Sequence, residues 1–593
     1  MSHYAAPIDD MKFALRELVD TNALAEIDRF AEIDTELEDA ILEEAGKFCA
    51  EVLAPLNGPG DAHGCTWNDG VVTTPPGFKE AYAGLVEGGW TTLSAAPEHG
   101  GQGLPARVSL LVDEMMIATN MAFSMTPGLT LGAYHAIAAH ASDELKARYL
   151  PKMVSGEWSG TMCLTEPHCG TDLGLLRTRA EPQADSSYKL TGTKIFISAG
   201  EHDLTDNIIH LVLARLPDSP KGVHGISLFV VPKFALDSDG NPSGRNGVVC
   251  GAIEEKMGIH GSPTCVINFD EATGYLVGTE NHGMRQMFTM MNAARLGVGN
   301  QGIGLTEAAY QKAVAYARER LQGRALKGAA HPDKSADPII VHPDVRRMLL
   351  TMRASVEGGR GLAMWIATEL DISHHHPDPE RRREADDFVQ LMTPIVKAYC
   401  TDLGLDCANL GIQIMGGHGY VRDHGMEQLS RDARITQIYE GTNGIQALDL
   451  VGRKLGAHTG RYLRGFFHPV EAFLSEHADN EALDGIVQPV AKSFGRLQRA
   501  TAYLAESGLN DPDEAAAAAT DYLKLFGLTA FGYVWARAAL VASRRQEDPT
   551  GFYADKLATA RFFAARILPG SSAAFGALMA GAGSIMDFRE EAF

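Results

Sequence analysis

From about Ile33 to Val154 apolar residues recur at three- and four-residue steps, as at Leu37, Ile41, Leu42 and Phe48. That is the spacing of one buried helix face. Gly58-Pro59-Gly60 and Pro75-Pro76-Gly77 break the pattern into separate helices. At Gly160 the period changes. Tyr188–Ser198, Asn207–Ala214, Gly225–Val231 and Thr264–Phe269 are short runs rich in β-branched and aromatic residues, bounded by turn formers. They predict a compact β domain. Helical spacing returns after Gly283, with long stretches over Met284–Gly323 and about 345–370 and 384–416, then a segment from Gly417 to Arg453. Four long helices after a β domain predict a bundle. Beyond Gly456 an Ala-rich helical segment follows, and Asp511-Pro512-Asp513-Glu514 is a helix start: an Asp cap, Pro in the first turn, acids at the positive dipole end. No repeat with a period of about 20–50 residues is present. The expected division is an N-terminal extension (1–34), a helical domain (35–159), a β domain (160–275), a helical bundle (276–455) and an extra helical domain (456–593).

Composition narrows the function. The chain has 593 residues, 75 acidic against 52 basic, a net charge of −23. That surplus argues against nucleic acid and against docking on anionic lipid, both of which need a cationic face. Eight cysteines without CxxC spacing read as reduced thiols in a cytoplasmic protein. The first twenty residues carry six charges (Asp9, Asp10, Lys12, Arg16, Glu17, Asp20) and lack a signal peptide's apolar core. Ile567–Met586 is uncharged but diluted by Pro569, several glycines and serines, so a buried or partner-facing helix is expected rather than a membrane span. His374-His375-His376 lies in a Pro- and charge-rich segment without a spaced fourth ligand, so a solvated loop is expected and no metal. No Ser–His–Asp arrangement or P-loop is visible.

Three strings carry candidate chemistry. Cys163-Leu-Thr-Glu-Pro-His-Cys-Gly-Thr-Asp172 offers hydroxyls and turn N–H groups that can approach a polar ligand, although such loops are common. Gln413-Ile-Met-Gly-Gly-His-Gly-Tyr420 permits close backbone approach and positive φ; a helix C-cap and turn explains it equally well. It is not a dinucleotide fingerprint. In Ser430–Gln446, Glu440 stands alone between Tyr439 and Gly441 among small and apolar residues. A partly desolvated carboxylate there suits a general base, the alternative being a cap or turn residue.

Together, and in this order within a helix–β–helix frame, the three strings resemble the acyl-CoA dehydrogenase flavoproteins over about 35–455. The resemblance implies an α+β multidomain fold: a helical domain, a β-barrel-like domain and a four-helix bundle, here with the extra helical domain. It implies FAD, with contacts from Met162, Leu164, Thr165, Thr171, Phe196, Ser198, Arg320, Gln322, Gln413, Gly417, Thr442 and Asn443. Arg320, Gln322, Gln413 and Gly417 match residues that reach the FAD of a neighbouring subunit, so a homo-oligomer, dimer or tetramer, is implied. Thr171, Asn292, Arg295, Gly441 and Arg453 match residues near the acyl-CoA. Glu440 matches the catalytic base, which removes the α-proton as hydride passes from the β-carbon to FAD. Branches with a relocated base carry an acid beside the arginine matched by Arg295; here that neighbour is Ala294. Three positions depart from the family pattern: Cys169-Gly170-Thr171 for Ala-Gly-Ser, Phe196 for Trp, and Gln322-Gly323 for Phe-Gly with one residue fewer.

The opening Tyr4–Phe13 and the tail Phe526–Trp535 resemble the long bacterial branch, which includes 3-methylmercaptopropionyl-CoA dehydrogenases of dimethylsulfoniopropionate breakdown. That thioester is the favoured substrate, with short- to long-chain fatty acyl-CoA as the alternative. The implied electron acceptor is an electron-transferring flavoprotein; an acyl-CoA oxidase, a DNA-associated relative and a membrane-bound long-chain enzyme are the lesser readings.

Overall fold

The computed structural model describes residues 4–545, 548 and 550–593. The chain forms two compact units, one of Glu44–Pro105 and Met115–Gly297, the other of Met1–Glu43, Ala106–Glu114 and Val298–Phe593.

The first unit is built on a seven-stranded sheet: Trp158–Cys163 (β1), Arg179–Pro182 (β2), Tyr188–Ser198 (β3), Asn207–Arg215 (β4), Ile226–Pro232 (β5), Val248–Ile253 (β6) and Thr264–Val277 (β7). β7 pairs with β3, β3 with β2, β2 with β4, β4 with β5, and β5 with β7 again, so the sheet closes on itself as a barrel. β1 extends it parallel to β4, and β6 lies antiparallel to β7. Closure works because β7 is long and irregular: its register slips between Phe269 and Ala272, which lets its far end turn to β5. β4 is buried on both faces. Val212 and Ala214 join the barrel interior, whereas Ile209, Leu211 and Leu213 join a core shared with Ile137, Tyr149, Met153 and Met290. A strand covered on both sides needs no polar alternation.

The sequence pattern located β3, β4, β5 and the first half of β7, but missed the others. β1 carries Ser159, Gly160 and Thr161, and β2 is Arg-Ala-Glu-Pro; neither has an intrinsic strand signature, and pairing alone makes them strands. A hairpin, Thr66–Asn68 with Val71–Thr73, also interrupts the helical N-terminal region. Its turn is Asp69-Gly70, both at positive φ, a hairpin signal that helix periodicity overlooks.

The second unit contains the long helices Gly283–Glu319 (α1, whose first residues lie in the first unit), Pro343–His375 (α2) and Pro379–Met415 (α3), then the shorter Met426–Thr436 (α4) and Asn443–Asp449 (α5). The expected fourth long helix is thus broken. Gly416 (φ +60°), Gly425 (φ +61°) and Gly441 (φ +84°) take conformations that end helices. α1 and α3 cross at Gly302: a Cβ there would lie 2.2 Å from the Cys400 carbonyl oxygen, so the two backbones touch. The solvated loop expected at His374–His376 is instead a helix end: His374 and His375 close α2, and His376, just beyond it, is buried.

The extra C-terminal segment does not stand apart as its own compact unit. Its helix Pro512–Ser543 (α6) packs on α2, α3 and α5. Gly527 faces the ring of Tyr399, and the Trp535 indole N–H donates to the Ala354 carbonyl at 3.1 Å. Arg360, 1% exposed, bonds to Glu114, Glu307 and Asp10, and Asp10 also accepts from Lys556. That buried cluster ties the N-terminal helix, α2 and the appended segment together. α6 and Ala106–His140 are the described helices long and apolar enough to cross a membrane, and their apolar windows are 83% and 94% buried. Ile567–Met586 is not one helix but short pieces, Phe563–Ile567, Gly570–Leu578 and Gly583–Met586.

Two outcomes follow. Gly302→Ala should destabilise the protein by about 3 kcal/mol, since neither backbone at the crossing can yield; thermal or urea unfolding measures this. A chain truncated after Lys454 should be insoluble or unfolded by circular dichroism, because removing α6 uncovers the apolar faces of α2 and α3.

Candidate active site

In the first unit, the string that opens at Cys163 is a loop between β1 and β2, built around Glu166. Its carboxylate is 3% exposed and accepts from the Arg177 N–H (2.7 Å), the Thr178 N–H (3.0 Å), the Thr178 hydroxyl (2.6 Å) and the Lys194 ammonium (2.9 Å). Burial pushes the Glu166 carboxyl up, but Lys194, Thr178 and Arg177 outweigh it and hold the group below the usual carboxylate range. Lys194 is fully buried and donates also to the Leu164 carbonyl at 2.9 Å. The Ile195 N–H reaches the Thr165 carbonyl at 2.9 Å, which fastens the loop to β3. Met162, Leu164 and Thr165 are thereby fixed beside the end of β3, half-buried.

Phe196 sits in β3 where the pairing with β7 slips, between Lys194 and Ile197. Its φ is +59°, and its ring is 59% exposed. A bulky residue in the left-handed region is strained, and strain at an exposed aromatic points to a functional demand. The bulge turns the ring out of the alternation, while Ile197 stays in the barrel core and Ser198 is half-buried. An exposed aromatic ring on the strand that holds the loop of Leu164 and Thr165, two residues before Ser198, suits a flat tricyclic flavin. Thr171 is exposed past the Glu166–Cys169 bridge. Glu166, His168 and Cys169 have ligand atoms within 4.8 Å of one another, but the Glu166 oxygens are committed to Lys194, Thr178 and Arg177. Asn292 is half-buried on α1, and Arg295, one turn on, is buried.

In the second unit, Glu440 lies in the turn between α4 and α5, at φ +57° and followed by Gly441 at +84°. It too is a non-glycine residue in the left-handed region. Thr442 caps α5, its side chain accepting from the Ile445 N–H at 3.3 Å. Lys397 of α3, fully buried, donates to the Gly441 carbonyl (2.7 Å) and to Asn443 Oδ1 (2.8 Å). The Asn443 amide donates in turn to the Ala398 carbonyl (3.1 Å), the Thr401 hydroxyl (3.0 Å) and Asp402 (2.8 Å). Gln446, also fully buried, donates to the Glu440 carbonyl at 2.9 Å. The Tyr439 hydroxyl bonds to Gln301, and burial, then the nearby Glu440, raises its pKa.

The Asn443 side chain is engaged inside the fold with Lys397, Ala398, Thr401 and Asp402, and its N–H donates to the Gln437 carbonyl at 3.1 Å. Arg453 is 69% exposed along its side chain and pairs with Asp449 at 3.2 Å. Gln413 and Gly417 are exposed at the end of α3, and Arg320 and Gln322 are exposed where α1 ends. The loop after Arg320 winds around Asp337, which is buried and accepts from the Ala325, Ala330 and His331 N–H groups; these bonds hold its carboxyl far below the usual range.

Sequence motifs did not single out Lys194, Lys397, Asp337 or Gln446. A signal for the lysines was present: each is a lone cation inside an apolar run, Lys194 before Ile-Phe-Ile and Lys397 after Pro-Ile-Val. A buried cation needs partners, and here they are the Glu166 carboxylate, Asn443 Oδ1 and the Leu164 and Gly441 carbonyls.

Known proteins agree with this architecture. Residues 35–157, 161–272 and 281–455 match the acyl-CoA dehydrogenase N-terminal, middle and C-terminal domains, and 466–589 match the acetyl-CoA dehydrogenase C-terminal-like domain. The chain is 44% identical to the 3-methylmercaptopropionyl-CoA dehydrogenase of Ruegeria pomeroyi, over 96% of this chain and 97% of that one. It is 34% identical to a butyryl-CoA dehydrogenase of Syntrophomonas wolfei over the whole of both. The fold matches that of a Bacillus anthracis acyl-CoA dehydrogenase solved with FAD, with a TM-score of 0.74 and 20% identity over 96% of this chain and 91% of that one. The chain belongs to the acyl-CoA dehydrogenase family of FAD-dependent oxidoreductases.

Proposed function

We propose that this enzyme desaturates 3-methylmercaptopropionyl-CoA between its α- and β-carbons, with Glu440 as the base. The observation that carries the base assignment is the strained, internally braced Glu440 turn: a carboxylate held at φ +57°, with Lys397 and Gln446 on the flanking carbonyls. The substrate choice rests on the 44% identity to the Ruegeria enzyme across nearly the full chain. A saturated fatty acyl-CoA is the second reading, supported by the butyryl-CoA relative at 34% over both full lengths.

The Glu440 carboxylate takes the α-proton, and its main-chain N–H donates to the thioester oxygen as negative charge builds there. The β-carbon gives up a hydride, so one C–C single bond becomes double and proton and hydride leave to different acceptors. Bound FAD supplies the two-electron acceptor for that hydride. Met162, Leu164, Thr165, Thr171, Phe196 and Ser198 would hold it and shield it from water, and Thr442 would be a further contact by the family pattern. Arg295 and Arg453 are the cations that the family pattern assigns to the polyanionic CoA, against a chain net charge of −23. The exposed Arg320, Gln322, Gln413 and Gly417 serve the FAD of a second copy, which makes the enzyme a homo-oligomer. Its electrons pass to an electron-transferring flavoprotein in the cytoplasm, where eight free cysteines are stable.

Glu440→Gln should retain FAD and bind acyl-CoA but lower kcat by roughly 10²–10⁴-fold, read as anaerobic flavin bleaching; turnover near the wild-type rate would place the base elsewhere. Across a panel of acyl-CoAs, kcat/KM should be highest for the 3-methylmercaptopropionyl thioester. A higher value for butyryl- or longer-chain CoA would transfer the assignment to fatty acyl-CoA. The bleached enzyme should reoxidise slowly in air, whereas rapid reoxidation would identify an oxidase.

A further inference from the structure

The geometry points to Lys397 as a positioning residue for Glu440, acting through the main chain of the turn that carries it. This rests on the assignment of Glu440 as the base. Lys397 lies on α3, and its ammonium donates both to the carbonyl of Gly441, the residue after the base, and to Asn443 Oδ1. Nothing of the side chain reaches solvent. A buried ammonium is tolerated only where its hydrogens are met, so the two acceptors are constrained as strongly as the cation.

The remaining contacts extend the brace. Asn443, held by Lys397, donates to Ala398, Thr401 and Asp402, all within five residues of Lys397 on α3. Asp402 also accepts from Gln437, which precedes the turn, at 2.8 Å. The main chain is therefore gripped before Glu440 through Gln437, at Glu440 through Gln446, and after it through Gly441 and Asn443. Between those points two successive residues are at positive φ, and the first is not glycine. Such a conformation persists only where its surroundings over-determine it. Without the ammonium, Glu440 can relax toward an ordinary turn, and its carboxylate leaves the position from which it reaches the α-carbon. Displacements of about 1 Å lower reaction rates by about 10²-fold.

The test separates base placement from folding and from flavin chemistry. A CoA thioester with an ether oxygen at the β-position has an acidic α-proton but no β-hydride to lose. Exchange of that proton in D₂O therefore reports the base alone. Holoenzymes carrying Lys397→Met and Lys397→Gln are compared with wild type and with Glu440→Gln. Lys397→Met should keep its FAD content and its KM for acyl-CoA within about threefold, while exchange and kcat both fall about 10²-fold. Lys397→Gln, which keeps a hydrogen-bond donor, should recover part of the exchange rate. Wild-type exchange in both variants would overturn the proposal; should Lys397→Met fail to fold, Lys397→Gln decides alone, and a wild-type rate there overturns it. Exchange persisting in Glu440→Gln would instead overturn the base assignment beneath it.

Discussion

A cation buried in protein must have its hydrogens met, and the fold of this chain turns on three of them. Lys194 fastens the loop after β1 through Glu166 and the Leu164 carbonyl. Lys397 fastens the turn after α4 through Gly441 and Asn443. Arg360 joins Asp10, Glu114 and Glu307, and through Asp10 it is linked to Lys556 of the appended segment. Removing one partner from such a group leaves an uncompensated charge, at a cost of about 3–5 kcal/mol. The constraint fixes geometry as well as stability, because in the first two cases an acceptor is backbone beside a site residue.

Bracing of that kind matters because two of the candidate site residues are strained. Phe196 and Glu440 both sit at positive φ without being glycine. Each such conformation costs about 1–3 kcal/mol, and each is held by neighbours that would otherwise be unremarkable. For Phe196 the support is a slipped register between β3 and β7; for Glu440 it is Lys397, Gln446 and the N-terminus of α5. A hydrophobic pattern reports neither, since both residues depart from the regular structure around them.

The appended C-terminal segment follows the same logic. Its helix α6 packs on α2 and α3, and also on α5, the short helix that begins right after the base turn. The segment therefore belongs to the body that carries Glu440. Composition correctly marked it as helical and apolar, but whether it folds beside the bundle or into it depends on contacts such as Gly527 against Tyr399, some 130 residues apart in sequence.

The sequence by itself determined the succession of helical, β and helical regions, because apolar periodicity reflects which face of each element leaves water. It also pointed to the family, because three characteristic strings occur in order within a helix–β–helix frame. What it left open required knowing which distant groups meet. β1 and β2 have no strand-like composition and exist as strands through their pairing with β4 and β3. The fourth long helix dissolved into α4, α5 and the turns around them, since glycines at positive φ end helices that periodicity alone would continue. Asn443 reads as a ligand contact from its place after the base, yet the fold turns its amide inward. Lys397 stands in the sequence as one charge in an apolar run, and only its tertiary partners, more than forty residues away, bring it to the Glu440 turn. Local patterns encode burial, whereas hydrogen-bond partners between distant segments are set when the chain closes on itself.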